Sequence, residues 1–344
     1  MTSMLTPSYT VRTGSQEWTK QVLYVRVSLD AGPRVDTACI VFPAVAPLDA
    51  VPGDDVVLSL DSGEQDDTVF TGVVDRIRRT PSLIVVTAIN AGGVLARTRP
   101  AITFEHITAG DVVRQLCSEA SVDPGDIADG VSMPYYVADP DRTAWQHATR
   151  VAAWSGAIVT VSSDNKVDAT VVDAQQADLA LRYGREILDF SFDQDDTYVD
   201  TFATAGETGV GDAADAGALR LTSDFFGGNR PSGPGPRSSW RSVPALRTAD
   251  AAASAAAARQ RLYTSTRACG RVSAFLQPTI RPGSVIELHD MPSGIPLQPM
   301  WVRRVEHMLS AEGATTRIDV AKGGDSFDPL ALLGSVGGAI GALL

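Results

Sequence analysis

Two stretches far apart in the chain share one pattern, "VPGDDVVLSLDSG" at 51–63 and "RPGSVIELHDMPSG" at 281–294. Each contains a Pro-Gly turn, a short apolar strand and a glycine-containing loop. A second strand follows in both places, "FTGVVDRIRR" at 70–79 and "MWVRRVEHML" at 300–309. This repeated order of turn, strand, loop and strand indicates that one β module occurs twice.

A third strand completes each set, "LIVVTA" around Thr87 and "TTRIDVA" around Thr316. From Pro52 to Thr87 there are 87 − 52 = 35 positions, and from Pro282 to Thr316 there are 316 − 282 = 34. We therefore predict an internal duplication of a small β-barrel or sandwich module, with two similar barrels in one chain. From residue 21 to residue 89 the period-two alternation of apolar residues also indicates antiparallel strands.

The region between the two sets is typical of a small α+β unit. "TAGDVVRQLCSEA" begins at Thr108, a hydroxyl residue followed three positions later by an acid, which predicts a capped helix. A second helix is expected in "DPDRTAWQHATRVAAWSG", capped by Asp139 or Asp141. The strand pair in "AIVTVSSDNKVDATVV" is expected to turn at Asp164 and Asn165.

The next segment is rich in glycine and proline, as in "GGNRPSGPGPRSS", which predicts an irregular, mobile loop. Thr248 is then expected to cap the helix "ADAAASAAAARQRLYTS". Its alanines favour helix but have little apolar surface to bury, so we expect it on the surface or against a partner.

The predicted fold class is α+β, mainly β, with two similar small β-barrels per chain and an inserted α+β unit, assembling as a ring-shaped trimer. The predicted divisions are a first β-barrel at 1–100, an α+β middle domain at 101–206, a Gly/Pro-rich loop region at 207–247, a surface helix with the second β-barrel at 248–329, and an apolar tail at 330–344.

The charge balance excludes a typical nucleic-acid-binding surface. The 344 residues carry 29 Lys and Arg against 41 Asp and Glu, a net charge of −12. Tracking phosphates requires clustered cations, so DNA is expected to be repelled on average. Such a chain can still form a wall that DNA passes without adsorbing.

The cysteines and the hydropathy pattern indicate where in the cell the chain is made and whether it is anchored in a membrane. Cys39, Cys117 and Cys269 are odd in number and far apart, so neither a disulfide framework nor a zinc site is predicted. The N-terminal stretch lacks a signal-peptide pattern, and no run reaches the ~18 apolar residues of a membrane span. We expect synthesis in a bacterial cytoplasm without membrane anchoring.

His307 lies in an alternating strand pattern, which places Trp301, Arg303, Val305, His307 and Leu309 on one face. A catalytic histidine needs an orienting acid and a nucleophile or substrate within reach, and no motif of that kind accompanies it. We therefore interpret His307 as a structural residue. Glu306 and Asp319 are expected to pair with neighbouring arginines across the hairpin.

Other candidate sites lack their sequence context. His106, His147 and His289 are equally isolated. "GVGDAA" at 209–214 fits a GxGxxA pattern, but no buried strand leads into it. The acidic stretch at 189–200 lacks the glycine and glutamate of a calcium loop and is interpreted as a solvated turn. No catalytic, cofactor-binding or metal-binding residue is predicted.

The tail "LALLGSVGGAIGALL" at 330–344 is too short to span a bilayer and too rich in glycine for a strong helix. We expect it to dock against a partner rather than remain disordered.

Several stretches, in their order along the chain, resemble the baseplate hub family of contractile tails. That family includes the late control protein D group of phages and the hub portion of type VI secretion spike proteins and extracellular injection systems. The matching stretches are "VFTGVVDRI", "TAGDVVRQLCSEASV", "DRTAWQHATRVAAWSGAIVTVSSDNKV", "LRYGREILDFSF", "PGSVIEL" and "WVRRVEHMLSAEGATTRIDV". Together they cover most of residues 50–322.

The resemblance implies a homotrimer that presents six near-equivalent barrels to a six-fold tail tube protein and carries a three-fold spike on its opposite face. The predicted duplication supports the same count, since three chains with two modules each supply six. Spike-fused relatives continue into a further barrel and a needle, so here we expect a separate spike protein. Other baseplate components are expected partners, and DNA or effector cargo is expected only to pass through the channel.

The resulting hypothesis is a nonenzymatic structural hub, located in a virion tail baseplate or an injection particle. One alternative is the hub of a noncontractile tail, which a neighbouring sheath gene would distinguish. Another is a cell-wall-degrading or carbohydrate-binding tail-tip protein, which would be recognised by clearing of peptidoglycan.

Overall fold

The computed structural model describes residues 6–172, 176–194, 201–205, 238–265, 268–292, 295 and 299–322. Strands dominate these ranges, and most of them join one 13-stranded sheet. This confirms the mainly β class predicted from the alternation. The stretch at 209–214, most of the predicted loop and the apolar tail lie outside the described residues.

The first β region folds into seven strands. They are β1 (Ser8–Thr13), β2 (Gln16–Trp18), β3 (Tyr24–Asp30), β4 (Thr37–Pro43), β5 (Asp55–Asp61), β6 (Asp66–Arg79) and β7 (Leu83–Ile89). Their hydrogen-bonded order is β2-β1-β5-β6-β7-β4-β3. Val25, Val27 and Leu29 alternate with more exposed neighbours along β3, as a sheet with one core face requires.

A helix-containing unit follows. Its elements are α1 (Ala91–Leu95), β8 (Ile102–Thr108), α2 (Ala109–Glu119), β9 (Pro124–Ile127), β10 (Ser132–Ala138), α3 (Ala144–Trp154), β11 (Ala157–Val161) and β12 (Val167–Val171). The β11–β12 hairpin turns through Asn165, which has a φ of 63°. This confirms the turn predicted at Asp164 and Asn165.

The remaining strands return to the large sheet, apart from one short pair. They and the last helix are β13 (Leu179–Arg182), β14 (Ile187–Gln194), β15 (Thr201–Ala205), β16 (Ser238–Ser242), α4 (Ala249–Ser265), β17 (Ala268–Phe275), β18 (Val285–His289), β19 (Met300–Ser310) and β20 (Gly313–Lys322). Strands β15 and β16 pair only with each other among the described residues.

The duplication is visible in the strand order. The first repeat runs β3-β4-β7-β6-β5-β1, and the second runs β14-β17-β20-β19-β18-β13. Every neighbouring pair in these two series is antiparallel, except that β13 runs parallel to β18. Elements β15, β16 and α4 are inserted between β14 and β17, where the first repeat has only the short β3–β4 connection.

The Pro-Gly turns fix the same hydrogen bonds in both repeats. The amide of Gly53 donates to the carbonyl of Val74 over 2.8 Å, and that of Gly283 donates to the carbonyl of Val302 over 2.8 Å. Both glycines have positive φ, 99° and 92°, a conformation that glycine adopts without steric cost. The match identifies Val74 with Val302 and confirms the alignment of the two turns.

A β-bulge occurs at the same place in each repeat, immediately after Val74 in β6 and after Val302 in β19. The extra residue in β19, Arg303, is exposed, and beyond it Val305 faces the same core as Val302. The strict alternation predicted for this strand is therefore wrong, because the bulge separates Arg303 from the face of Val305.

The third strands are aligned differently from the prediction. In the second repeat Thr316 lies opposite His307. The equivalent residue of the first repeat is Ile84, which lies opposite Arg79. Thr87 corresponds to Asp319, three positions beyond Thr316. The equivalent spacing in the second repeat is therefore 319 − 282 = 37 positions rather than 34, and the close match of 35 and 34 came from aligning the wrong residue.

The two repeats share one sheet and one core. Strand β3 pairs with β19, and the apolar cluster beneath the sheet includes Val27, Val86, Val272 and Val305 from both repeats. The prediction of two separate barrels is not confirmed, since the described strands form one continuous hydrogen-bonded order.

The helices build a second core. Thr108 caps α2, and its side chain accepts a hydrogen bond from the Asp111 amide, as predicted. Helix α3 is capped by Thr143 in a capping box with Gln146. The expectation that Asp139 or Asp141 caps this helix is therefore wrong, since the hydroxyl and glutamine together satisfy two backbone donors.

Helix α4 is bound more closely to its own chain than its composition suggested. Thr248 caps it, with its side chain accepting from the Ala251 amide. Ala251 and Ala255 are buried in the second core, and α4 packs against α3. Small alanine side chains allow this close approach, so one face of the predicted surface helix is internal.

Candidate assembly interface

The joint between the repeats is an antiparallel pairing of β3 and β19. Its register runs from Arg304 opposite Asp30 to Ser310 opposite Tyr24. On its outer face, Glu306 forms an ion pair with Arg26 of β3. The predicted pairing of Glu306 and Asp319 across their own hairpin is therefore wrong, because Asp319 pairs with Arg271 on β17 and the main partner of Glu306 comes from the other repeat.

Arg281 ties the second repeat to the first. Its guanidinium donates to the Asp67 carboxylate, to the carbonyl of Thr68 and to the carbonyl of Pro278, each over 2.7 Å. Only 21% of its side chain is exposed. A planar guanidinium with several fixed donors suits this arrangement better than a single ammonium.

A buried carboxyl, that of Asp36, lies immediately before β4. Asp36 accepts hydrogen bonds from the Asp30 amide over 2.8 Å and from the Asn90 side chain over 2.7 Å. Burial raises the pKa of Asp36 to about 7, while these two hydrogen bonds act in the opposite direction. Asn90 also caps α1, so this group links the sheet to the helical unit.

His307 is completely buried in the sheet core. Its Nδ1 lies 3.0 Å from the Thr316 hydroxyl on β20. Burial lowers the pKa of His307 to about 3, and the positive charge of Arg281 acts in the same direction. The imidazole is therefore neutral at physiological pH and serves as a core residue, as the sequence predicted.

The other histidines do not converge with it. His147 is buried between Tyr136, whose hydroxyl lies 2.6 Å from Nδ1, and the carbonyl of Asp139, 2.9 Å from Nε2. Burial lowers the pKa of His147. His106 is exposed, and His289 lies 3.4 Å from the exposed carboxylate of Glu287.

The acidic stretch is partly a strand rather than a turn. Asp189 and Asp193 lie on β14 and are exposed; Asp195, Asp196 and Asp200 lie outside the described residues. Within the described ranges, no group of three or more His, Cys, Asp or Glu is placed to hold a metal ion.

All three cysteines are free thiols. Cys117 is buried, and Cys39 and Cys269 are half-buried. Burial raises the pKa of Cys117 to about 12 and also raises that of Cys39. A protonated thiol is a weak nucleophile and a weak metal ligand.

Among the strand edges that are unpaired in the described residues, two are the repeat equivalents of the edges joined by β3 and β19. Over Arg76–Arg79, β6 pairs with β7 alone, because β5 ends its pairing at Val73. Strand β14 pairs with β17 and ends the hydrogen-bonded order of the sheet. Exposed backbone donors and acceptors at such edges can accept another strand.

No protein-family model matches the chain, and no curated protein matches its sequence. Solved structures do share its fold. The tail protein from Neisseria meningitidis MC58 is similar with a TM-score of 0.70 and 14% identity, over 92% of this chain and 96% of that chain. The 43 kDa tail protein of prophage MuSo2 from Shewanella oneidensis is similar with a TM-score of 0.67 and 13% identity, over 92% and 98%.

A third similar structure is the E. coli c3393 protein, a component of the type VI secretion system with structural similarity to the bacteriophage T4 tail proteins gp27 and gp5. Its TM-score is 0.62 at 10% identity, over 92% of this chain and 79% of that chain. The chain therefore has the fold of phage tail and type VI secretion proteins. The resemblance drawn from its sequence is confirmed at the level of fold.

The sequence did not reveal the residues that join the repeats. Arg281 precedes a turn and looks like an ordinary surface cation, and nothing in β3 marks it as a partner of β19. The only available signal was the duplication itself, which could have matched each strand of one repeat with a strand of the other. No helix in the described ranges is long and apolar enough to cross a membrane.

Proposed function

We propose that this protein is the structural hub of a contractile phage tail or contractile injection system. Three copies form a ring that presents six repeats to a six-fold tail tube and carries a separate three-fold spike. The observation that supports this most is the presence of two repeats with the same strand order in one chain, together with a fold shared with tail proteins over nearly the whole chain.

The charge of the chain favours a channel. A ring with a net charge of −12 per copy repels a polyanion, so DNA or an acidic effector crosses it without adsorbing. The small modules gain stability from obligate contacts, which typically bury more than ~2,000 Å². In this proposal the protein acts through contacts with the tube, the spike and other baseplate proteins and not as an enzyme.

The test is to purify the full chain alone and together with the tube and spike proteins encoded beside it. We expect a trimer by mass measurement, a three-fold ring with six similar lobes in electron micrographs along its axis, and a stable complex with both partners. A monomer that binds neither partner would overturn the hub. Peptidoglycan clearing that is lost on changing one acidic residue would instead support the cell-wall hydrolase.

A further inference from the structure

We propose that neighbouring copies of this chain join through β6 of one copy and β14 of the next, in the antiparallel register that β19 and β3 use within the chain. This inference rests on the trimeric hub proposed above and names the surfaces that close it. It follows from which strand edges the two repeats use and which they leave unpaired.

The repeat alignment identifies the equivalent strands. Strand β6 corresponds to β19, because the bulge follows Val74 in one and Val302 in the other. Strand β14 corresponds to β3, because each is the outer neighbour of an equivalent strand, β17 or β4. In these pairs Phe192 lies opposite Gly270, as Val27 lies opposite Ala38.

Each repeat thus has one edge of the β3 type and one edge of the β19 type, and an edge of one type pairs with an edge of the other. Within one chain a single joint forms, between β19 and β3. This joint leaves the β19-type edge of β6 and the β3-type edge of β14 unpaired among the described residues. A ring of three chains makes three joints internally. Three equivalent joints between chains would pair every β6 and β14 edge that the internal joints leave unpaired.

The internal joint supplies the register. There Val305 lies opposite Leu29, and Glu306 lies opposite Ser28. Replacing each residue by its repeat equivalent places Ile77 opposite Gln194 of the next copy and Arg78 opposite its Asp193. Residues directly opposite in antiparallel strands have Cβ atoms about 4.5–5.5 Å apart, so the last pair forms a cross-strand ion pair.

The two unpaired edges have opposite charge. Arg76, Arg78 and Arg79 are exposed at the end of β6, and Asp189 and Asp193 are exposed on β14. In the internal joint the polarity is reversed, since the arginine is on β3 and the acid is on β19. Exchanging the two joints would bring Arg26 near Arg78, so like charges disfavour the wrong pairing.

Burial points to the same edges. Val25, Val27 and Val305 have no exposed surface in the internal joint. Their equivalents Phe190, Phe192 and Ile77 are only half-buried. A neighbouring strand on each edge would complete the burial that the internal joint already achieves.

Disulfide trapping tests the register in the full chain. All variants carry Cys269→Ser, because this native free thiol lies opposite Asp193 on β17 and would compete for the disulfide. In that background, with Arg78→Cys and Asp193→Cys together, mild oxidation should produce covalently linked dimers and trimers on a nonreducing gel. The matched control pairs Arg78→Cys with Asp189→Cys, four positions away on the same face, about 13 Å along the strand. That separation is beyond the reach of a disulfide, so the control and the parent chain should remain uncrosslinked.

Charge reversal tests the same contact without cysteines. Arg78→Asp or Asp193→Arg alone should weaken association of the copies at least about tenfold, while the double reversal should restore it. Circular dichroism and the unfolding midpoint show whether each variant is folded.

The outcomes separate this inference from the hub itself. A trimer that binds tube and spike, but neither forms the 78–193 disulfide nor responds to charge reversal, overturns the β6–β14 joint and leaves the hub standing. A chain that stays monomeric and binds neither partner overturns both.

Discussion

The two repeats keep the same hydrogen bonds while their side chains differ. Both turn at a glycine of positive φ and bulge after a valine, and six strands follow in the same spatial order. Yet the buried polar groups of one repeat have no counterparts in the other. Arg281 corresponds to Val51, His307 to Arg79, and Asp36 to Ala268.

This difference teaches which features the module needs. A sheet register is set by backbone pairing and by residues that permit special φ values, so these are kept in both copies. Side chains that occur in only one repeat belong to the joint between the two repeats or to the inserted elements. Copying residues from one repeat to the other therefore tests that distinction.

The largest effect is expected for Arg281→Val, which copies the first repeat. Asp67 and two carbonyl groups lose their guanidinium partner, so the free energy of unfolding should fall by about 3 kcal/mol. Urea unfolding measures it. Arg12→Val is the control, because its ion pair with Glu17 is exposed and should contribute no more than about 0.5 kcal/mol. Equal losses of unfolding free energy in Arg281→Val and Arg12→Val would contradict a stabilising contact of Arg281 with the first repeat.

The buried titrating groups of the two repeats should act in opposite directions with pH. Asp36 has its folded pKa raised from 3.8 to about 7, so it stabilises the fold at low pH and this stabilisation is lost as pH rises. His307 has its folded pKa lowered from 6.5 to about 3, so its contribution is present above pH 6.5 and is lost as pH falls.

Between about pH 4 and 6.5 the two slopes oppose each other, each approaching about 1.4 kcal/mol per pH unit. Relative to the parent, Asp36→Asn should lose stability as pH falls, and His307→Gln should lose it as pH rises. Urea midpoints across this range measure both. Three parallel curves would show that folding leaves the pKa of both groups unchanged, which would contradict this prediction.

A smaller loss is expected for Gly270→Ala, which introduces the residue found at Ala38. The added Cβ would overlap the Phe192 ring and lie 2.7 Å from the Ser191 carbonyl, costing about 1–2 kcal/mol by overpacking. Phe192→Val, which copies Val27, should recover part of this loss in the double variant. Additive losses in thermal unfolding would show that the ring is not the obstacle.

The smallest effects are expected at the paired turns. Gly53→Ala and Gly283→Ala should each cost about 1 kcal/mol, because alanine disfavours a positive φ. Gly283→Ala should cost slightly more, since its Cβ would lie 3.2 Å from Ile158, whereas Gly53 faces open space. Glu64→Ala, an exposed change in the loop between β5 and β6, serves as the baseline. A loss of stability at only one of the two turns would contradict the structural equivalence of the repeats.

Local patterns carried the predictions that succeeded. The alternation of Val25, Val27 and Leu29, the cap at Thr108 and the turn at Asn165 depend on neighbours within a few residues. The cap at Thr143 was missed because three aspartate or threonine candidates stand close together, and only the Gln146 reciprocal bond decides among them.

Long-range pairing was beyond the sequence. Strands β13 and β14 lie near the middle unit along the chain but complete the second repeat, across an insertion that contains α4. The bulge at Arg303 and the β3–β19 register depend on contacts between distant segments. The interpretation of His307 as a core residue succeeded because its strand context was local, whereas the joint it borders was not.

The pairing of β3 with β19 also sets an order of events during translation. Asp30 and Arg304 are opposite each other in the sheet but 304 − 30 = 274 positions apart in the chain. The strands of the first repeat emerge together and can pair early, while the outer edge of β3 waits for almost the entire remaining polypeptide. Until then the edge can pair with β19 of another nascent chain, so rapid folding of the second repeat limits misassembly.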